Sequence, residues 1–123
     1  MRVKRFEDLV VWQKSRDLSV AIYRVTSQGA FVRDYGLRDQ IRRAAVSVMS
    51  NIAEGFGRYS RTEMRQFLSI ARGSVPEVRS QLYLARELGY VQEHDHDSLH
   101  ALCIEIGRML AGLRASIDTP KHH

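Results

Sequence analysis

Leu37-Arg38-Asp39-Gln40-Ile41-Arg42-Arg43-Ala44-Ala45-Val46-Ser47-Val48-Met49-Ser50-Asn51-Ile52-Ala53-Glu54-Gly55 is the stretch that decides the fold. Leu37, Ile41, Ala44, Val48 and Ile52 recur at steps of three and four, which puts them on one stripe of an α-helix. Tyr35-Gly36 stand before the stripe and Gly55 and Gly57 close it, so a helix is expected to begin after Gly36 and to end at these glycines. A second line, polar this time, runs beside the first. Ser47, Asn51 and Glu54 stand at i, i+4 and i+7, about a quarter turn away from Val48 and Ile52 at roughly 100° per residue. Polar side chains at the margin of a core must find partners. Arg43, one turn before Ser47, and Ser74 and Glu77 farther along are candidates. We read Arg43, Ser47, Asn51, Glu54, Ser74 and Glu77 as a structural polar cluster that fixes helix register or a subunit contact, with a ligand or catalytic site as the alternative.

Three further segments carry the same period. Val11, Leu18, Ile22 and Val25, with Trp12 beside them, predict a first helix from about Phe6 or Glu7 to Ser27, ended by Gln28-Gly29-Ala30. Ser60-Arg61-Thr62-Glu63 has the spacing of a capping box and opens a third helix. That helix turns Met64, Phe67, Leu68, Ala71, Val75, Val78, Leu82 and Ala85 inward and ends near Leu88-Gly89-Tyr90. Pro76 falls inside it, which predicts a kinked but continuous helix; the alternative is a restart with Ser74 as N-cap and Glu77 completing a second box. The fourth helix follows Gln92 to Asp97, with Asp95 or Asp97 as cap, and runs through Leu99, Leu102, Cys103, Ile106, Leu110, Leu113 and Ile117. No segment alternates as a strand does. The expected architecture is all-α, an antiparallel up-down-up-down four-helix bundle forming one domain over residues 1–120, with 121–123 as a tail.

Composition narrows the function. The 123 residues suffice for one core, and no apolar run reaches the roughly 18 residues of a membrane span. The basic start lacks the apolar region of a secretory signal, so the cytoplasm is the expected compartment and no membrane partner is expected. A single cysteine, Cys103, excludes an intrachain disulfide and a multi-cysteine zinc site, and its apolar neighbours predict a buried, inert thiol. His96 and His100 have the i, i+4 spacing of a metal pair. Without an identifiable third ligand, we read them, with His94, as part of a solvated helix start. No phosphate loop, HExxH motif or nucleophile-base arrangement is present, so no catalysis, cofactor or metal is expected. The net charge is +5, and residues 33–72 hold eight arginines against four acids. That concentration suits a polyanion, although a solvated charged face would look the same.

Ser47-Val48-Met49-Ser50-Asn51-Ile52-Ala53-Glu54-Gly55-Phe56-Gly57-Arg58 resembles the signature of four-helix-bundle proteins encoded in intervening sequences of bacterial 23S ribosomal RNA genes. The likeness extends over nearly the whole chain. It takes in Phe6-Glu7-Asp8-Leu9-Val10-Val11-Trp12-Gln13, Tyr35-Gly36-Leu37, Gln40-Ile41-Arg42-Arg43-Ala44-Ala45, Gly73-Ser74 with Glu77, and Leu88-Gly89-Tyr90. The resemblance implies a ring-like homo-oligomer, a pentamer, with no established enzymatic activity. Accessory proteins of diversity-generating retroelements are similar, and their likeness implies nucleic acid as a partner. Two departures stand out. Val32-Arg33-Asp34 replaces the proline and acids common in the family after the position of Phe31, and Pro76 lies within the Gly-Ser-x-x-Glu motif.

On this reading Arg38, Arg42, Arg58, Arg61 and Arg65 are the candidate nucleic-acid-binding residues, and Phe56 and Tyr59 are nearby aromatics of which Phe56 is expected to be buried. Asp39 can pair with Arg43 at i, i+4. The competing expectation is a scaffold that presents the oligomer's surface to a protein partner.

Overall fold

A computed structural model describes residues 3–118; Pro120 and the tail at 121–123 lie outside the described residues. Four helices follow one another, α1 (Val10–Thr26), α2 (Tyr35–Phe56), α3 (Arg61–Glu87) and α4 (Glu93–Asp118), with no strand among the described residues. Each helix packs against the next and α1 closes against α4, the order of contacts that an up-and-down bundle requires. The stripe read from the sequence is the core of α2: Leu37, Ile41, Ala44, Val48 and Ile52 are all buried. They meet Val11, Leu18 and Ile22 of α1, Leu68, Val78 and Leu82 of α3, and Leu99, Ile106 and Leu110 of α4. No helix among the described residues is long and apolar enough to cross a membrane.

The ends of the helices differ in detail from the expected ones. Phe6–Asp8 form a separate 3-10 turn, because Leu9 adopts an extended conformation (φ −74°, ψ 124°) and α1 starts only at Val10. Phe6 then folds back edge-on to Trp12, with ring centroids 5.1 Å apart. α2 starts at Tyr35 rather than after Gly36, because Asp34 is its N-cap and accepts the Leu37 amide at 3.2 Å. α4 starts at Glu93, two residues before the earlier of its expected caps, and its first turn closes through the His96 amide on the Gln92 carbonyl. Asp95 and Asp97 therefore lie inside the helix, where Asp95 still complements the positive end of its dipole.

α3 opens as expected, with the Ser60 hydroxyl accepting the Glu63 amide at 3.1 Å. It runs through Pro76 without interruption. Ser74 is thus mid-helix and caps nothing. The end of α3 is a Schellman motif: the Tyr90 amide donates to the Ala85 carbonyl and the Gly89 amide to Arg86, both at 2.9 Å, with Gly89 left-handed at φ +74°. Tyr90 then stacks on Phe31 at 5.0 Å and donates its hydroxyl to the second oxygen of Asp34 at 2.9 Å. One carboxylate both caps α2 and ties down the α3–α4 turn, and accepting the phenol's proton raises the Tyr90 pKa.

Candidate nucleic-acid interface

The five nominated arginines fall into two groups. Arg38 lies in the first turn of α2 and Arg58 just beyond its end, so most of the helix separates them, roughly 27 Å from Arg38 to Phe56 at 1.5 Å per residue. Arg38 and Arg42 belong to the end where α1 meets α2. The Arg42 guanidinium donates to the Thr26 hydroxyl at 2.8 Å and the Ser27 hydroxyl at 3.0 Å, and it covers the Tyr23 ring at 4.5 Å. It thereby supplies a cation at the negative end of the α1 dipole. Arg38 donates to the Val32 carbonyl at 3.0 Å and to Asp39 at 2.8 Å, and lies over Tyr35. The hydrogen bond from Arg38 holds the Asp39 carboxyl below its ordinary pKa, so Asp39 pairs with its chain neighbour and not with Arg43.

The second group surrounds the α2–α3 turn. Arg58 pairs with Glu54 at 2.9 Å and covers the Phe67 ring at 4.7 Å. Arg61 is exposed with no acidic partner among the described residues, and Arg65 is half-buried one turn further on. Phe56 is half-buried, whereas Tyr59 stands fully exposed beside Arg58.

The polar cluster forms in part. Ser74 donates to the Ile70 carbonyl at 3.1 Å, which uses its one proton, so the Ser47 hydroxyl donates to Ser74 across the 2.9 Å between them. Asn51 completes the chain by donating to the Ser47 hydroxyl at 3.1 Å and carbonyl at 2.8 Å. The result is a hydrogen-bonded chain in one direction across the α2–α3 contact. Glu54 is engaged with Arg58, and Arg43 and Glu77 are exposed and outside the chain. Next to this chain Gly55 brings the helices close: a Cβ there would sit 3.1 Å from the Phe67 Cβ and 3.3 Å from the Met64 carbonyl oxygen. The Ser-Asn-Gly part of the signature is therefore the seam between two helices.

The histidines depart from the sequence reading. His96 is not part of a solvated start: it is 2% exposed and stacks with His100, ring centroids 5.7 Å apart. The His100 Nε2 accepts from Arg79 Nε at 3.4 Å, a donor that has no other role, and the Tyr83 hydroxyl lies 3.1 Å from the same nitrogen. His100 is thus the neutral Nδ1-protonated tautomer, and burial followed by the charge of Arg79 lowers its pKa. No group of three metal-ligating side chains occurs among the described residues. Cys103 is fully buried, and burial pushes its thiol up to about 12, where it is inert at neutral pH.

With this geometry in view, the comparisons with known proteins are specific. The model of the 23S rRNA-intervening sequence protein family matches residues 7–112, which include both arginine groups and the whole seam. The chain belongs to that family. A solved structure of this kind, a protein with unknown function from the S23 ribosomal protein family of Bacteroides thetaiotaomicron, superposes with a TM-score of 0.78 at 26% identity. The alignment covers 89% of this chain and 100% of that one, so the family's bundle is shared along its length. Among curated proteins none matches.

Proposed function

We propose that this family member is a non-enzymatic cytoplasmic homo-oligomer that binds the backbone of RNA or DNA through its basic surface. The observation that carries this reading is the distribution of charge: in a chain of net charge +5, Arg61, Arg72 and Arg108 are exposed with no acidic partner among the described residues. Such guanidiniums can neutralise phosphates without first giving up a protein contact. Arg38, Arg42 and Arg58 are already engaged within the fold and contribute chiefly through the long-range field.

Assembly draws support from the opposite side of α3. At 100° per residue Ile70, Leu84 and Leu88 share one line, and they are 51%, 49% and 50% exposed. This apolar shoulder adjoins the Ser47–Ser74 seam, and covering it with another copy would remove it from water. A pentamer, the number suggested by the family resemblance, has a mass of about 70 kDa from chains of 14.1 kDa. The same shoulder supports the second reading, a scaffold for a protein partner.

The test is isolation of the native protein with and without nuclease, with light scattering on the product. Nucleic acid that co-isolates and is released by raised salt, on an assembly of several chains, is the expected result. A single protein retained stoichiometrically after nuclease treatment, with no nucleic acid beforehand, would instead establish the scaffold.

A further inference from the structure

On α3, Arg65, Arg72, Arg79 and Arg86 recur every seven residues, which keeps them on one side of the helix over three successive steps of about 10.5 Å. This row faces α4, about half a turn from the apolar shoulder. Between the two helices lies an open groove of about 430 Å³ with Arg72, Arg79 and Arg108 on it and Pro76, Ile104 and Gly107 among its apolar lining. No carboxylate lines it. Glu105, the acid nearest in sequence on α4, is drawn away to Lys14 of α1 at 2.9 Å. Arg72 and Arg108 are exposed, and Arg79 uses only its Nε on His100, leaving its terminal nitrogens without a hydrogen bond among the described residues. One turn beyond Arg79 stands Tyr83, 41% exposed, its ring braced by His96 at 5.2 Å and His100 at 5.4 Å.

We propose that the α3–α4 groove binds a single strand of nucleic acid, with Arg72, Arg79 and Arg108 holding phosphates and Tyr83 stacking on a base. The inference rests on the nucleic-acid reading and adds the strand type and the residues. Phosphate-binding groups along an apolar trough that ends in an exposed, braced ring are what a single strand needs. Helices packed at about 8–10 Å leave a trough too narrow for a duplex, which would meet only the outermost guanidiniums. Arg86 lies over the Tyr83 ring, 5.4 Å from its centroid, and is partly neutralised by Glu87 and Glu93 at 3.7 Å and 3.5 Å, so the site ends at this ring and a base stacks on the part of it left exposed.

The probe is a fluorescein-labelled 20-nucleotide single-stranded RNA, alongside its duplex and a poly-glutamate peptide, titrated by anisotropy into the full chain and variants of checked helicity and mass. The single strand is expected to bind most tightly. R72Q/R79Q/R108Q should lose at least about tenfold in affinity, and the slope of log K on log salt should shrink by about 2, as expected for three phosphates at about 0.7 each. Tyr83→Ala should lose affinity with no change in slope, and Tyr83→Phe should restore it, which a merely structural role for the hydroxyl would not give. R16Q/R24Q, two exposed arginines on α1, should stay within about twofold. Binding by the wild type that the groove variant retains would overturn the groove while leaving the nucleic-acid reading intact, as would equal affinity for the duplex. Absence of any nucleic-acid binding by the wild type would overturn both. Poly-glutamate binding in its place, or an altered mass in the groove variant, would assign the groove to an acidic protein surface or a second copy.

Discussion

Replacement of Gly55 by alanine tests the seam between α2 and α3. The added Cβ would sit 3.1 Å from the Phe67 Cβ and 3.3 Å from the Met64 carbonyl oxygen, both fixed to the backbone of α3. Neither can rotate away, so the two helices must part by a few tenths of an ångström. Overpacking of this kind costs about 1–3 kcal/mol. Alanine returns about 1 kcal/mol through its better helix propensity. The net expectation is a loss of roughly 0–2 kcal/mol, and a comparator removes the propensity contribution. Gly112, in α4, has nothing within 4 Å of an added Cβ, so Gly112→Ala should stabilise by up to about 1 kcal/mol. The two variants should therefore differ by about 1–3 kcal/mol. At about 2.1 cal/mol/K per residue for 123 residues, that is a difference in Tm of roughly 4–12 °C. Urea and thermal unfolding at one fixed protein concentration measure it, which keeps the comparison valid whatever the oligomeric state. Gly55→Ala stabilising as much as Gly112→Ala would refute a close helix approach at this glycine.

Within the same seam, a double-mutant cycle of Ser47→Ala and Ser74→Ala should show a coupling of about 0.5–1.5 kcal/mol in urea unfolding, and additivity would mean that the 2.9 Å contact contributes nothing. Arg42→Met should cost about 1–2 kcal/mol by losing two hydroxyl acceptors and the Tyr23 face, and Arg42→Lys should recover only part of it in the same assay. The histidine pair predicts a pH dependence. The folded state lowers the His100 pKa, so below the ordinary 6.5 the unfolded chain takes up a proton that the folded chain resists. Stability is then full above that value and falls as the pH drops through the folded one. His100→Gln should flatten that part of a urea-midpoint profile between pH 7.5 and 5; an unchanged profile would exclude His100 as its source.

Much of the fold was legible because amphipathic periodicity is a local signal. The α2 stripe from Leu37 to Ile52 and the Ser60 cap needed no knowledge of distant parts of the chain. The misplaced helix starts turn on single residues that periodicity does not report, such as the extended Leu9 before α1 and the Asp34 cap of α2. Asp34 read as a departure from the family's turn, yet it caps α2 and meets Tyr90, fifty-six residues away, a contact that no spacing encodes. His96 looked solvated among Glu93, His94, Asp95 and Asp97, yet it is buried, with Tyr83 and Arg86 of α3 packed against it. The polar chain was half legible: Ser47 and Asn51 share a helix line, but whether Ser74, Glu77 or Arg43 would join depended on how α3 is rotated. In the arginines, the excess between residues 33 and 72 drew attention to that stretch of chain. The seven-residue recurrence from Arg65 to Arg86 crosses its boundary, and the α1 hydroxyls that occupy Arg42 become visible only when the helices are assembled.

The most direct test of nucleic-acid binding is the affinity of the full chain for a labelled single-stranded RNA across a salt series from about 50 to 200 mM, the range over which phosphate contacts declare themselves. Saturable binding whose log K falls linearly with log salt, at a slope of about −2 or steeper, is the expected result. No binding at the lowest salt by folded protein of known mass in the same buffer, or binding indifferent to salt, would contradict it.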